Sequence, residues 1–177
     1  MAVPTHLTIN IEGLALDSLL ADWRWLVPQG LTPVLMTAFG DLFLRDEAGQ
    51  FHFLDLMSGE FKQVADSQEE FDRLCEDKER RRSWFVTFLL VELRKLSGQL
   101  APCECYGCKI PLSLGGRLEA GNFVRTDIRT HYSVLGQLHR QTRHLPPGTA
   151  IDAIKVESQH QNIKTKTWWQ RLTKGKG

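Results

Sequence analysis

The spacing of apolar residues changes several times along the chain, and each change predicts a different kind of element. Within Met1–Glu12, apolar and polar positions alternate, which predicts a brief edge strand. Across Leu16–Leu26, apolar residues recur every three or four positions, which predicts a short amphipathic helix. Pro28 and Gly30 then end that helix.

The next segment, residues 34–65, predicts an antiparallel meander. Its mostly apolar runs are rich in aromatic and branched residues, and short glycine-containing connections separate them. The four predicted strands are Val34–Ala38, Leu42–Arg45, Phe51–Leu56 and Phe61–Ala65. The third is apolar on both faces, as expected of a central strand.

Helical patterns return after the meander. Ser67 and Glu70 form a capping box at the start of one predicted helix. The charged segment Glu76–Arg82 is predicted to be a solvated linker or helix surface, because neighbouring carboxylates offset its three arginines. Trp84–Leu96 is apolar nearly all round, which predicts the central core helix.

The remaining elements are a strand, a long helix and a final strand. Arg117–Arg125 is predicted to be extended, and Thr126 with Asp127 can cap a helix with apolar positions from Ile128 to Leu145. Ile151–Val156 alternates again and predicts the last strand.

Composition fits one folded unit. The chain has 177 residues, of which 42% are hydrophobic, enough to bury one large core. We therefore expect a single α+β domain over residues 1–157, mainly an antiparallel sheet packed against three to four helices. Residues 1–33 would be its lead-in and 158–177 a basic, mobile tail.

Charge is distributed unevenly. From Lys155 onward, six basic residues and one acidic residue give +5, so the net charge of +1 leaves −4 for the rest of the chain. A mildly acidic body argues against direct nucleic-acid binding, which needs a basic surface.

No targeting or membrane segment is evident. Met1–Asn10 lacks the charged start and apolar run of a secretory signal. The most apolar segment, Trp84–Leu93, is far shorter than the roughly 20 residues that span a bilayer. We expect a cytoplasmic protein with reduced thiols and no membrane partner.

Three cysteines, Cys103, Cys105 and Cys108, form the densest cluster of metal-ligand types. A fourth zinc ligand would have to come from Cys75, His131, His139 or His144. The C-x-C spacing is not that of a usual zinc knuckle, and Pro111 argues against the helix that follows a redox dithiol. We expect small structural side chains and no cofactor, with a zinc module as the open alternative.

Catalytic signatures are absent from the sequence. It has no nucleophile elbow, phosphate-binding loop or dinucleotide fingerprint. His131 and His139 are eight residues apart, about 80° around a helix, so they do not form the i, i+4 pair of a helical metal site. We expect a protein that is not an enzyme.

Two motifs carry a family resemblance. Tyr106-Gly107-x-Lys109-Ile-Pro111 precedes a Leu-Gly-Gly sequence, and a later helix contains Gly136-Gln137-Leu-His139. In order and spacing, the chain resembles the C-terminal domain of immunity proteins that neutralise type VI secretion DNase effectors, over about 38–149. Longer members of that family carry an additional N-terminal GAD-like domain, so this chain resembles the shorter members.

The resemblance implies both function and site residues. It implies a non-enzymatic α+β domain that binds and blocks a cognate toxin in the cytoplasm. The matching positions, structural or binding, are Cys105, Tyr106, Gly107, Lys109, Pro111, Gly115, Gly116, Gly136, Gln137 and His139. Cys108 stands where an aromatic or aliphatic residue is expected, which disfavours a family metal site. We expect Gly136, Gln137 and His139 to pack against the segment Cys103–Gly116.

Electrostatics suggests which residues could contact a toxin. An acidic surface would complement a phosphate-binding active site. The candidate contacts are Asp46, Glu47, Asp55 and Glu60. The alternative is a small regulatory module that binds a peptide or ligand through Tyr106–Gly116. A third hypothesis makes the tail with Trp168 and Trp169 a membrane or nucleic-acid anchor. The sequence does not predict an oligomeric state.

Overall fold

The computed structural model describes residues 3–146, 149 and 154–157. It has an α+β architecture: a five-stranded antiparallel sheet, a two-stranded sheet and five α-helices among these residues. The strands are β1 (Thr8–Ile9), β2 (Thr32–Thr37), β3 (Leu42–Arg45), β4 (Phe51–Asp55), β5 (Glu60–Ala65), β6 (Glu104–Cys108) and β7 (Phe123–Asp127). The helices are α1 (Leu16–Leu19), α2 (Gln68–Glu76), α3 (Lys78–Trp84), α4 (Thr87–Ser97) and α5 (Ile128–Thr142).

The predicted meander is confirmed, with strand order β1-β2-β3-β4-β5. Leu42 pairs with Leu54 and Phe43 with Phe53 in the β3–β4 ladder. Successive side chains of a strand point to opposite faces, so the leucines lie on one face and the phenylalanines on the other. Both faces are buried, which explains why these strands are apolar throughout.

Two cores lie on the two faces of this sheet. The phenylalanine face packs against α2, α3 and α4 and includes Phe71, Trp84 and Leu89. The leucine face packs against α5 and the N-terminal lead-in, with Trp23 and Tyr132 fully buried there. The main sheet is therefore the middle of three layers.

The helix predicted over Trp84–Leu96 is broken. Helix α3 ends at Trp84, Val86 has φ 42° and ψ 48°, and α4 begins at Thr87. A left-handed conformation is unusual for a β-branched residue, and no glycine or asparagine signals it. Helix α4 contributes Leu89, Leu90 and Leu93 to the core, but not all of its apolar side chains are buried, since Phe88 and Val91 are 50% and 57% exposed.

Side-chain caps follow the predictions. The Ser67 hydroxyl accepts a hydrogen bond from the Glu70 amide (3.2 Å), and the Glu70 carboxylate accepts one from the Asp66 amide (2.9 Å). At the start of α5, the Asp127 carboxylate accepts from the Thr130 amide (2.9 Å). These bonds satisfy amides that the first turn of a helix leaves unpaired.

The cysteine-rich segment forms a strand rather than a loop. Strand β6 pairs with β7 in antiparallel register from Glu104–Asp127 to Cys108–Phe123. The predicted strand Arg117–Arg125 therefore begins later, because the preceding residues form a loop and a 3₁₀ turn at Ala120–Asn122.

The segment 154–157 lies along α5. The Gln137 side chain donates to the Glu157 carbonyl (2.9 Å) and accepts from its amide (2.7 Å). The Gln141 side chain makes the same pair of bonds with Lys155, at 2.8 and 3.3 Å. Residues 154–157 are not in a strand, and residues 151–153 of the predicted last strand lie outside the described residues. The predicted tail, 158–177, also lies outside them.

Candidate functional site

Strand β6 joins the small sheet to the main one. The Tyr106 amide donates to the Ala38 carbonyl (2.9 Å), and its hydroxyl donates to the Gly98 carbonyl (2.5 Å). Cys105 is fully buried, and burial raises the pKa of its thiol well above the usual value. Both side chains are inside the fold, so they support the site and do not contact a partner.

The loop after β6 is fixed by Asn122. Its side-chain oxygen accepts from the Ile110 amide (3.0 Å), and its amide group donates to the carbonyls of Ile110 (2.9 Å) and Arg117 (3.0 Å). The Lys109 ammonium adds a bond to the Gly121 carbonyl (2.7 Å). At Gly116, a Cβ atom would lie 1.9 Å from the Ile110 carbonyl oxygen, so this close approach of two backbone segments requires glycine at position 116.

The contacts predicted between α5 and this segment are made by other residues. His131, not His139, packs against β6: a Cβ on Gly107 would lie 2.8 Å from its Nδ1 atom. His139 instead bonds the Leu56 carbonyl through Nε2 (3.0 Å). Gly136 faces the backbone of Asp22, and the prediction that these motif residues contact 103–116 is wrong for both.

Gln137 also lies elsewhere than predicted. Its side-chain amide bonds the Ser133 hydroxyl (3.0 Å) and the backbone of Glu157. The three motif residues of α5 thus contact three other parts of the fold: Gly136 the lead-in, His139 the β4–β5 turn and Gln137 the segment 154–157.

Burial lowers the pKa of both α5 histidines. For His131 it brings the pKa from 6.5 to about 4, partly offset by a hydrogen bond with the backbone of Phe39. For His139 the same cause lowers the pKa, with the bond to Leu56 opposing it. Both rings are therefore neutral structural groups at neutral pH.

The four acidic candidates form two separate pairs. Asp46 and Glu47 lie in the β3–β4 turn, whereas Asp55 and Glu60 flank the β4–β5 turn at the other end of β4. A five-residue strand separates the two pairs by about 17 Å. They do not form one acidic surface.

Each pair is also engaged internally. The Asp46 carboxylate bonds His52 Nε2 (2.9 Å) and accepts from the Gln50 amide, and the bond to His52 lowers its pKa. The Asp55 carboxylate accepts from the amides of Met57 and Ser58.

Metal binding at the cysteines has no geometric support within the described residues. Cys103 is exposed, Cys105 is buried and Cys108 is intermediate. Across residues 3–146, 149 and 154–157, no three histidine, cysteine or acidic side chains are grouped closely enough to hold a metal ion. Nor does any helix in this part of the chain have the length and apolar character needed to cross a membrane.

One concave surface of the described residues is a cleft of about 740 Å³. We call it the meander–loop cleft. One wall is the phenylalanine face of β4 and β5 with the turn between them, and the others are α3, Val86 and the loop 112–118. Its apolar lining is Phe53, Met57, Val64, Trp84, Val86, Leu112 and Leu118; its polar lining is Asp41, Asp55, Ser58, Lys62, Gln63, Arg80, Ser83 and Ser113.

A buried carboxyl group lies beside the cleft. Asp41 is 3% exposed and accepts from the Leu56 amide (2.9 Å) and the Thr37 hydroxyl (3.0 Å). Burial, aided by the charge of Asp55, raises its pKa from 3.8 to about 7. Its hydrogen bonds tie the end of β4 to the β2–β3 turn, which is a structural role.

The cationic side of this cleft is not among the sites predicted from the sequence. Arg80 lies within the charged segment that was predicted to be a solvated surface. The guanidinium groups of its neighbours have partners: Arg81 donates to the Cys75 carbonyl (3.0 Å), and Arg82 lies over the Phe88 ring (5.8 Å). The only sequence signal was the run of three arginines, which does not reveal which of them faces a cleft.

Comparisons with known proteins find a family match and similar solved structures. No curated protein sequence matches the chain. A solved structure described as "Crystal structure of Atu4351 from Agrobacterium tumefaciens" has 17% sequence identity and a TM-score of 0.48. The match covers 68% of this chain and 62% of that chain.

The family match lies in the second half of the domain. Residues 65–139 match the family described as "T6SS immunity protein Tdi1, C-terminal". This range runs from α2 through most of α5 and includes both motifs noted in the sequence, whereas most of the meander lies before it. It includes the α3, Val86 and 112–118 walls of the cleft. The match supports an immunity role, and the predicted resemblance to the C-terminal domain of type VI secretion immunity proteins is confirmed over residues 65–139.

Proposed function

We propose that this protein is a non-enzymatic immunity protein that binds and neutralises a nuclease toxin of a type VI secretion system in the cytoplasm. The observation that carries the proposal is the match of residues 65–139 to the immunity-protein family. The toxin would be the cognate partner, and neutralisation would require a stable protein–protein complex.

The internal hydrogen bonds of the buried titratable residues are consistent with a binding role. Asp41, His131 and His139 each have a hydrogen-bond partner inside the fold. Their perturbed pKa values follow from burial, which structural positions produce as well as catalytic ones. The meander–loop cleft, by contrast, presents apolar and polar side chains together on an accessible surface, which suits the binding of a partner.

We also propose that residues 1–157 act as one unit in this role. The lead-in supplies Leu19, Leu20 and Trp23 to the core that α5 completes, and Ile154 packs against the same core. A truncation that removes the lead-in would therefore expose the leucine face of the sheet.

Co-expression tests the proposal. The toxin encoded beside this gene is produced in a sensitive host with and without this protein. We expect restored growth and a complex that co-purifies through a tag on either partner. No protection together with no complex would refute the proposal.

A second assay tests the nuclease class. Purified toxin is incubated with plasmid DNA, alone and with an equimolar amount of this protein. We expect degradation by the toxin and its suppression by this protein. If the protein rescues growth but the toxin leaves DNA intact, the immunity role stands and the nuclease assignment is wrong.

A further inference from the structure

We propose that the meander–loop cleft receives a segment of the toxin in which an apolar side chain lies next to a carboxylate, and that Arg80 binds that carboxylate. The inference rests on the proposed function, since it names the surface and the chemistry by which the toxin is held. It replaces the acidic contacts expected from the sequence with a cationic one.

The floor of the cleft favours an apolar anchor. Trp84 and Phe53 line the cleft and belong to the buried aromatic core of the sheet, with their ring centroids 6.2 Å apart. Leu118 on the loop wall is 43% exposed and would lose that exposure under a partner. Filling such a pocket with one large side chain is how interfaces concentrate their binding energy.

Arg80 supplies an unengaged positive charge at the same cleft. Among the described residues, its guanidinium has no hydrogen-bond or ion-pair partner, although Arg81 and Arg82 beside it are both engaged. Its backbone amide is used to cap α3 on Asp77, which fixes the base of the side chain. An arginine fork suits a carboxylate, which it can bind through two parallel hydrogen bonds.

Within the described residues, the other charged groups of the cleft are bonded elsewhere and none is paired with Arg80. The carboxylate of Asp41 is buried and accepts two hydrogen bonds, and that of Asp55 accepts two from the turn. Lys62 pairs with Glu60 at 3.4 Å, but both side chains are more than half exposed, so their interaction is weak. A complementary partner therefore presents negative charge at the Arg80 end.

Backbone strain at the cleft is a second, independent observation. Val86 lines the cleft with φ 42°, in the region that β-branched residues rarely occupy. Strained residues of this kind cluster at binding sites because the surrounding structure holds them.

A toxin carboxylate is favoured over a nucleic-acid phosphate as the ligand of Arg80. The body of the chain before Lys155 carries a net charge of −4, which disfavours a polyanion. The cleft lining includes two basic residues, Lys62 and Arg80, and two acidic ones, Asp41 and Asp55, whereas phosphate-binding surfaces gather several cations.

The experiment measures the affinity of purified variants for the toxin by calorimetry. The test variants are Arg80→Glu and Leu118→Asp; the matched controls are Arg82→Glu, on the same helix, and Val91→Asp, an exposed apolar residue outside the cleft. Circular dichroism and thermal melts first confirm that each variant is folded. We expect both test variants to weaken binding about 30-fold or more, the size of a hot-spot loss, and both controls to change it less than about 3-fold.

The outcomes separate the two proposals. If the wild-type protein does not bind the toxin, the proposed function fails. If it binds and the two test variants bind equally well, the toxin docks elsewhere and this inference is overturned while the immunity role stands. A third outcome is that the wild-type protein binds duplex DNA, that Arg80→Glu does not, and that both bind the toxin equally well. Arg80 would then bind phosphate, and the inference is also overturned.

Discussion

Replacing Asp41 by asparagine should change how stability depends on pH. The Asp41 pKa is about 7 in the folded protein and 3.8 in the unfolded chain, because burial disfavours the charged form. Between these values the folded state holds a proton that the unfolded state lacks, so stability falls as pH rises. A difference of 3.2 in pKa at about 1.36 kcal/mol each gives a loss of about 4 kcal/mol from pH 4 to pH 8.

The neighbouring His131 has the opposite effect. Its folded pKa of about 4 lies below the unfolded value of 6.5, so the unfolded chain binds the extra proton between them. Its contribution to stability therefore rises with pH, by about 3.4 kcal/mol from pH 4 to pH 6.5. In the wild-type protein the two slopes nearly cancel over this range.

The measurement is urea unfolding at constant ionic strength, followed by tryptophan fluorescence from pH 4 to pH 8. We expect the unfolding free energy of Asp41→Asn, relative to wild type, to increase by about 4 kcal/mol across this range. The His131→Asn variant is the control: it keeps Asp41 and loses the opposing contribution of His131, so its unfolding free energy should fall as pH rises. A difference between Asp41→Asn and wild type that stays constant within about 1 kcal/mol would mean that Asp41 ionises normally, and would refute the reasoning.

Three further predictions concern backbone fit and are measured by chemical unfolding. Val86→Gly should be more stable than Val86→Ala by about 1 kcal/mol, the reverse of the usual order, because φ is 42°; an alanine variant of equal stability would contradict this. Gly116→Ala should lower the unfolding free energy by about 2 kcal/mol or more, because the added Cβ clashes with the Ile110 carbonyl. Gly115→Ala should lower it by about 1 kcal/mol, because φ is 87° although the space around it is open; equal losses in the two variants would exclude the clash. A Cβ atom added at Gly59 lies 2.4 Å from the His139 imidazole, so Gly59→Ala should cost less stability when His139→Ala has removed the ring. We expect a coupling free energy of about 1 kcal/mol or more in a double-mutant cycle, and additive losses would exclude that contact.

Much of the fold was predictable because local signals agreed with tertiary burial. The meander has a turn signal between each pair of strands, and Ser67 and Asp127 cap helices through bonds to residues three positions away. Such short-range chemistry is contained in the sequence itself. The break at Val86 was missed because a helix that is apolar all round has no phase from which its buried face can be inferred.

The candidate site was less predictable because its walls come from distant parts of the chain. Lys62 and Leu118 face the same cleft although 56 positions separate them. No local sequence pattern indicates that residues so far apart in the chain line one cleft. By contrast, the separation of Asp46 from Asp55 was implicit in the predicted meander, because consecutive turns of a meander lie at opposite ends of the strand between them.

The hydrogen bonds from Gln137 and Gln141 imply that the fold recognises residues 155 and 157 by their backbone alone. A glutamine side-chain amide carries both N–H donors and a C=O acceptor, as a peptide group does, and each of the two glutamines bonds both the N–H and the C=O of one residue. The side chains of Lys155 and Glu157 take no part in these bonds. These bonds therefore do not constrain the side chains at positions 155 and 157, with one exception: proline at either position would remove the donated N–H and release one of the two attachments.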